Sequence, residues 1–243
     1  MRVRMLAAVV GLAGLSTALM GAIPAGAGPS GDQDAFCEGV VDVSLLFNKI
    51  DEEPTAKQQR KLDGYLGTIE DNAPAELADQ VQTAVTGARE GNFEDANVTA
   101  AVTAVDEWVA ENCGYTVVDV TAADFTFEGI PESLDTGVTL FRFTNEGAEL
   151  HEIGIARIKG DESVEEILEL PEEEADSKVQ FVGGSFAAQG ETRFLYTKLK
   201  KAGTYGAVCF LPVGSTSEEA IETADGPPHF VEGMFAEFEV AKG

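Results

Sequence analysis

Four side chains in this sequence have the donor types that hold a soft metal ion: His151, Cys209, His229 and Met234. The two histidines are the only ones in the chain. Met1, Met5 and Met20 fall in an N-terminal leader described below, so Met234 is the one methionine left in the body of the protein. A thiolate, two imidazoles and a weak axial thioether can hold copper in both of its common oxidation states. Soft sulfur favours Cu(I), imidazole suits Cu(II), and a rigid frame limits rearrangement between the two. Such a set passes one electron at a time. Taken singly, Cys209 reads as an inert strand thiol, and His229 and Met234 as ordinary core or surface residues. Their joint occurrence is what points to a metal.

The spacing supports this. His229 and Met234 flank a turn that ends at Gly233, with four residues between them. Cys209 closes the strand before that turn, across a loop of 19 residues rich in Gly, Pro, Ser and Glu. His151 comes from a strand 58 positions earlier and ties the set to the body of the domain. Glu152 follows His151 but alternates to the opposite face of the strand, which argues against it as a ligand.

The elements that must position these residues begin after Cys113-Gly114, where the apolar period becomes two. TVVDVTAADFTFEG, GVTLFRFTNEG, LHEIGIARI, KVQFVGG, TRFLYTKL, GTYGAVCF and MFAEFEV are β-rich runs broken by turn residues. Seven such runs predict an antiparallel β-sandwich with Greek-key connections over 115–243. The acidic stretch DESVEEILELPEEEADS between the third and fourth runs reads as a surface helix or insertion.

Residues 36–113 carry a helical period instead. Val40, Val41, Leu45, Leu46 and Ile50 form one stripe; Leu62, Leu66 and Ile69 a second; Leu77, Val81 and Val85 a third; Val98, Ala101, Val102, Val105, Trp108 and Val109 a fourth. Four amphipathic helices with short breaks predict a small bundle, with Pro54 in the first turn of its second helix. The block has no His and no Met and carries no evident chemistry. A sequon at Asn97-Val-Thr99 reads as lying mid-helix. Of the three cysteines, Cys37 and Cys113 stand at the two ends of the block, so the economical pairing is a Cys37–Cys113 disulfide with Cys209 left as the free thiol. Closing that loop stabilises the block by about 4–5 kcal/mol on the chain-entropy account. The fold class expected is therefore two-domain α + β: a disulfide-tied four-helix bundle, then the sandwich.

The first 27 residues have a basic start, an apolar run from Met5 to Ile23 and an Ala25-Gly-Ala27 end. This is the layout of a signal peptide cleaved after Ala27, with 28–35 as a flexible lead, and it predicts a secreted protein with no membrane insertion after cleavage. A formal net charge of −27 repels nucleic acid and anionic lipid. The cluster Lys198, Lys200 and Lys201 reads as a solvated turn.

Residues 115–241 resemble the cupredoxins, the plastocyanin- and azurin-like blue copper proteins. The resemblance rests on NEGAELH with Asn145, Gly147 and His151, on the run Gly203-Thr-Tyr to Cys209, and on His229 to Met234. It implies a Greek-key sandwich holding one type 1 copper ion per chain, with His151, Cys209 and His229 equatorial and Met234 axial. It covers about half of the chain, and the helical block resembles no cupredoxin element. Glu152 stands where the family usually has an Asn that braces the Cys-bearing loop, Phe210 stands where Ser or Thr is common, and the Cys-to-His loop is longer than in plastocyanin.

The function expected is an exported electron carrier, not an enzyme, cycling Cu(II)/Cu(I) through an exposed edge of His229. The alternatives are copper binding or delivery without a redox role, and a metal-free partner-binding module. A copper oxidase or reductase fits poorly with one ligand set and no histidine to spare for general-base work. The partner expected is a redox or copper-exchange protein, met by a monomer.

Overall fold

The computed structural model of the protein describes residues 31–50 and 53–243. The leader over 1–27 lies outside them. The described residues divide into two compact units: 31–43 with Ile50–Val102, and Ser44–Lys49 with Thr103–Gly243.

The helical region contains α1 (Gln33–Phe47), α2 (Ala56–Asp71), α3 (Ala78–Glu90) and α4 (Ala96–Asn112). Local capping sets where they start. Asp32 Oδ1 accepts the N–H groups of Asp34 and Ala35, so α1 begins inside the stretch expected to be a flexible lead. Thr55 and Gln58 form a reciprocal capping box, which puts Pro54 just before α2 rather than within its first turn. Asp95 Oδ1 accepts from Asn97 and Val98, so Asn97 sits in the first turn of α4, not mid-helix. The expected stripes are largely buried, from Val40 and Val41 through Leu62, Leu66, Val81 and Val85 to Val105 and Val109; Val102 is exposed. Cys37 and Cys113 are disulfide-bonded and Cys209 is the free cysteine.

The second unit holds a sandwich of nine strands: β1 (Thr116–Ala123), β2 (Thr126–Glu128), β3 (Ser133–Asp135), β4 (Gly137–Asn145), β5 (His151–Ile158), β6 (Val179–Ala187), β7 (Thr192–Leu199), β8 (Gly203–Val208) and β9 (Phe235–Ala241). One sheet has the order β2-β1-β4-β7 and the other β3-β9-β8-β5-β6. Both sheets are mixed, where a uniformly antiparallel sandwich was expected. β1 pairs parallel with β4, and β3 parallel with β9. The physical reason lies in β3, a three-residue strand with no run of its own in the sequence pattern. It takes the chain into the opposite sheet, and the crossover back delivers β4 beside β1 in the same direction. The acidic insertion forms two short helices, α5 (Val164–Leu168) and α6 (Glu172–Lys178).

Alternation along each strand builds one core between the sheets. Val118, Val120 and Ala122 of β1, Ile153 and Ile155 of β5, and Tyr205 and Ala207 of β8 enter it with Phe141, Phe143 and Phe238. Cys209 and Met234 belong to the same buried cluster. The site is thus set into the end of the hydrophobic core, where packing holds its side chains in place.

Candidate metal centre

His151 opens β5, paired across to Ala187 of β6. The loop before it is tied by Asn145, which is fully buried at the end of β4. Its Nδ2 donates to the carbonyls of Glu149 and Ala187 at 2.7 and 2.8 Å, and its Oδ1 accepts the Gly147 N–H at 2.8 Å. These bonds use every strong hydrogen-bonding group of the amide and fix the turn that delivers His151. Gly147 lies so close to the imidazole that an added Cβ would sit 2.5 Å from His151 Nε2.

Cys209 follows the last residue of β8, and its N–H donates to the Met234 carbonyl at 3.1 Å. His229 opens a single 3₁₀ turn, His229–Glu232, closed by Gly233 at φ 109°. Its N–H donates to the Leu211 carbonyl, while the Phe230 N–H donates to the Cys209 carbonyl at 3.0 Å. The two loop ends are therefore laced together residue by residue, which brings back to one point the side chains of a stretch that is distant in sequence.

The result is a compact triad. His151, Cys209 and His229 are all buried, with ligand atoms within 4.8 Å of one another. His151 Nδ1 and His229 Nδ1 are 3.2 Å apart, and Cys209 Sγ is 3.3 Å from His229 Nδ1. Two ring nitrogens and a sulfur converge on one small volume, with His151 Nε2 buried and unpartnered on the far side of its ring. Met234 is fully buried in the same cluster.

The expected exposed edge of His229 does not exist. The residue is fully buried, and its Nε2 meets Glu149 Oε2 at 3.1 Å. The same carboxylate oxygen accepts the Gly214 N–H at 2.7 Å, so the long Cys-to-His loop folds Glu149 over the imidazole. The Glu149 side chain, 21% exposed, is what faces solvent there.

Two further residues matter to the site. Glu152 does not join the donor atoms, but its N–H donates to Cys209 Sγ at 3.3 Å, and its carboxyl accepts the Phe210 N–H at 3.4 Å. It thereby takes up a brace on the Cys-bearing segment. Phe125 carries a left-handed backbone at φ 69° in the β1–β2 turn, and its ring centroid packs 4.8 Å from that of His229 and 6.3 Å from that of His151. A bulky residue in that region of φ is strained and persists only where its surroundings hold it. The turn lacks a glycine, and that is the one trace of Phe125's role in the sequence.

Burial governs the protonation of the set. It lowers the His151 imidazole to about 4, helped by the neighbouring His229 and opposed by Glu149. It lowers His229 too, against the pull of Glu149. It pushes the Cys209 thiol up to about 12, against the N–H from Glu152, and the Glu152 carboxyl up to about 7, against the N–H from Phe210. At neutral pH the pocket therefore holds two neutral imidazoles and a thiol that a metal ion must deprotonate.

No protein-family model matches the sequence, and neither does any curated protein. Among solved structures, the chain is similar to an auracyanin from the photosynthetic bacterium Roseiflexus castenholzii at 17% identity, covering 52% of this chain and 97% of that one, with a TM-score of 0.34. It is similar to auracyanin A, a blue copper protein of Chloroflexus aurantiacus, at 18% identity over 53% of this chain and 100% of that one, TM-score 0.34. A rusticyanin matches at 18% identity over 53% and 79%, TM-score 0.31. With TM-scores this low, the metal assignment stands on the donor geometry alone.

Proposed function

We propose that this protein is an exported, mononuclear copper protein that carries single electrons rather than a catalyst. The observation that carries the reading is the buried triad: His151, Cys209 and His229 each place a ligand atom within 4.8 Å of the other two, with His229 Nδ1 3.2 Å from His151 Nδ1 and 3.3 Å from Cys209 Sγ. Two imidazoles and a thiolate in a closed apolar pocket suit copper better than the harder divalent ions, which prefer oxygen donors. Met234, buried in the same cluster, is the candidate for the weak axial thioether.

Copper, when bound, supplies a one-electron Cu(II)/Cu(I) couple. The chain's own part is to keep the donors still. Asn145 fixes the turn before His151, the loop bonds fix Cys209 and His229, and Glu149 holds the His229 ring with its Nδ1 available to the pocket. Burial excludes water from the sulfur. Among the described residues no helix is long and apolar enough to cross a membrane. A disulfide between Cys37 and Cys113 suits an oxidising compartment, and export rests on that and on the N-terminal leader of the sequence. A basic electron-transfer protein is the partner that a charge of −27 favours.

The test is to add Cu(II) to the metal-free mature protein. An intense visible thiolate-to-copper band, one copper per chain and reversible reduction support the reading, with the band lost in Cys209→Ala. A colourless or irreversibly reduced complex overturns electron carriage and favours copper binding or delivery.

A further inference from the structure

The donor atoms of the metal centre lie in a closed pocket: His151, Cys209, His229 and Met234 are all buried. An ion reaches them only where some part of the wall opens. Much of that wall is locked by hydrogen bonds. Asn145 ties the turn before His151, the Cys209 and His229 segments are bonded to each other, and Glu149 is held between His229 Nε2 and the Gly214 N–H. The tip of the β1–β2 hairpin is held differently. β2 is three residues long and lies at the edge of its sheet, paired to β1 through Ala123–Thr126, Ala122–Phe127 and Thr121–Glu128. A two-residue hairpin turn of this hand asks for positive φ at both central residues, which Asn-Gly supplies without strain. Here they are Asp124 at φ 35° and Phe125 at φ 69°. Asp tolerates that region; a bulky aromatic residue does not.

The base of the hairpin is firm by contrast. Phe127 packs edge-on against the buried Phe143 with centroids 6.2 Å apart, and Gly129 approaches β1 so closely that an added Cβ would lie 2.1 Å from the Asp119 carbonyl oxygen. At the tip, the ring of Phe125 offsets the strain. It packs 4.8 Å from His229 and 6.3 Å from His151, and the two imidazoles are 5.0 Å apart, so three rings close on one another. Both imidazoles are buried and Phe125 is half-buried, so Phe125 is the ring of the three that meets solvent. A glycine would serve the turn better. The strained residue is explained by the pocket it touches, not by the hairpin.

We propose that Phe125 is the gate of the metal pocket: its ring closes the passage from solvent to His151, Cys209 and His229, and a swing of the β1–β2 tip on its firm base lets an ion enter or leave. The left-handed backbone raises the energy of the closed tip and so lowers the cost of opening it, while the ring contacts keep the closed form favoured. That the ion is copper rests on the function proposed above. The gate is read without any metal, because Cys209 is the free cysteine and its thiol reports the opening.

The experiment measures the rate at which iodoacetamide alkylates Cys209 in the metal-free mature chain, with Cys37 and Cys113 protected as a disulfide. Phe125→Ala and Phe125→Gly both speed alkylation about tenfold, the factor that one lost aromatic contact is worth, and Phe125→Tyr keeps the parent rate. The two truncations separate a gate from plain destabilisation. Glycine relieves the left-handed strain and alanine does not, so F125G melts at a higher temperature than F125A while both are alkylated alike. In a second arm, Cu(II) uptake and its removal by a chelator speed up together in both truncations. A parent protein that binds no copper sinks the copper reading and leaves alkylation to decide the gate. Alkylation unchanged in both truncations, or following melting temperature so that F125A reacts much faster than F125G, overturns the gate. Faster copper loss with unchanged uptake overturns it too, since Phe125 would then only support the ligands.

Discussion

Glu149 and His229 form a carboxylate–imidazole pair across 80 residues of sequence, with Oε2 3.1 Å from Nε2. Because Oε2 also accepts the Gly214 N–H, the carboxylate is held from two sides and fixes which ring nitrogen of His229 carries the proton. Nε2–H donates to Glu149, leaving the Nδ1 lone pair beside Cys209 Sγ and His151 Nδ1. Carboxylates that orient a ligating histidine in this way typically govern affinity tenfold to a hundredfold. Glu149→Gln is expected to weaken Cu(II) binding about tenfold and Glu149→Ala further, towards a hundredfold. The same variants raise the reduction potential, since the lost negative charge favoured the more positive oxidation state. Competition titration and voltammetry check both. A potential that stays put while affinity falls would mean that Glu149 only shapes the loop.

Copper uptake is expected to depend steeply on pH through Cys209. Burial pushes the thiol up to about 12, so it is protonated at neutral pH and the metal must displace one proton. The imidazole of His151 is lowered to about 4 and is already neutral there, so it adds no slope. One proton released per ion gives about a tenfold gain in apparent affinity for each pH unit between pH 6 and 8. Affinity rises with pH because the unbound state carries the extra proton. Cys209→Ser binds far more weakly and loses most of the slope. A flat profile in the parent protein would contradict the buried-thiol picture.

Gly147→Ala tests how tightly the pocket is built around His151. The new Cβ falls 2.5 Å from His151 Nε2, closer than real Cβ contacts come, so the ring or the turn must shift. Asn145 and its three hydrogen bonds resist movement of the turn, and the ring is therefore what gives way. Copper affinity is expected to drop at least about tenfold with thermal stability changed by only about 1–2 kcal/mol, within the usual range for one substitution. Unchanged affinity would show that the loop relaxes instead.

The triad was legible in the sequence because the chain is so poor in His that two histidines, one unpaired Cys and one Met could be counted. The helical stripes and most strands were legible because burial on one face imposes a period. Strand direction was not, since alternation reads the same from either end; β3, with only Leu134 buried, left no pattern to find. The burial of His229 was also hidden. It depends on Glu149, which reaches it through a contact 80 positions away, and a loop of Gly, Pro, Ser and Glu carries no period that reveals such a contact. Glu152 shows the reverse. Alternation excluded it as a ligand, yet could not say that its backbone and carboxyl would both engage the Cys209–Phe210 segment.

The last prediction concerns Asp106 near the end of α4. Its Oδ1 accepts the Tyr196 O–H at 2.7 Å, and burial pushes the carboxyl up to about 7, against the hydrogen bond from Tyr196. The folded state therefore holds a proton that an unfolded carboxyl releases near its usual value, so folding is favoured by this group at low pH. That contribution is complete below about pH 4, falls as pH rises towards 7 and is flat above, worth roughly 4 kcal/mol at most. Asp106→Asn keeps an acceptor for Tyr196 and removes the charge. Its gain in melting temperature over the parent is expected to be near zero at pH 4 and to grow up to pH 7, then hold constant to pH 9. Comparing the two proteins at each pH cancels the opposite trend from the buried histidines, which lose stability as they are forced to charge in acid. A difference that does not change between pH 4 and 9 would show that Asp106 is ionised in the folded protein at all of these values.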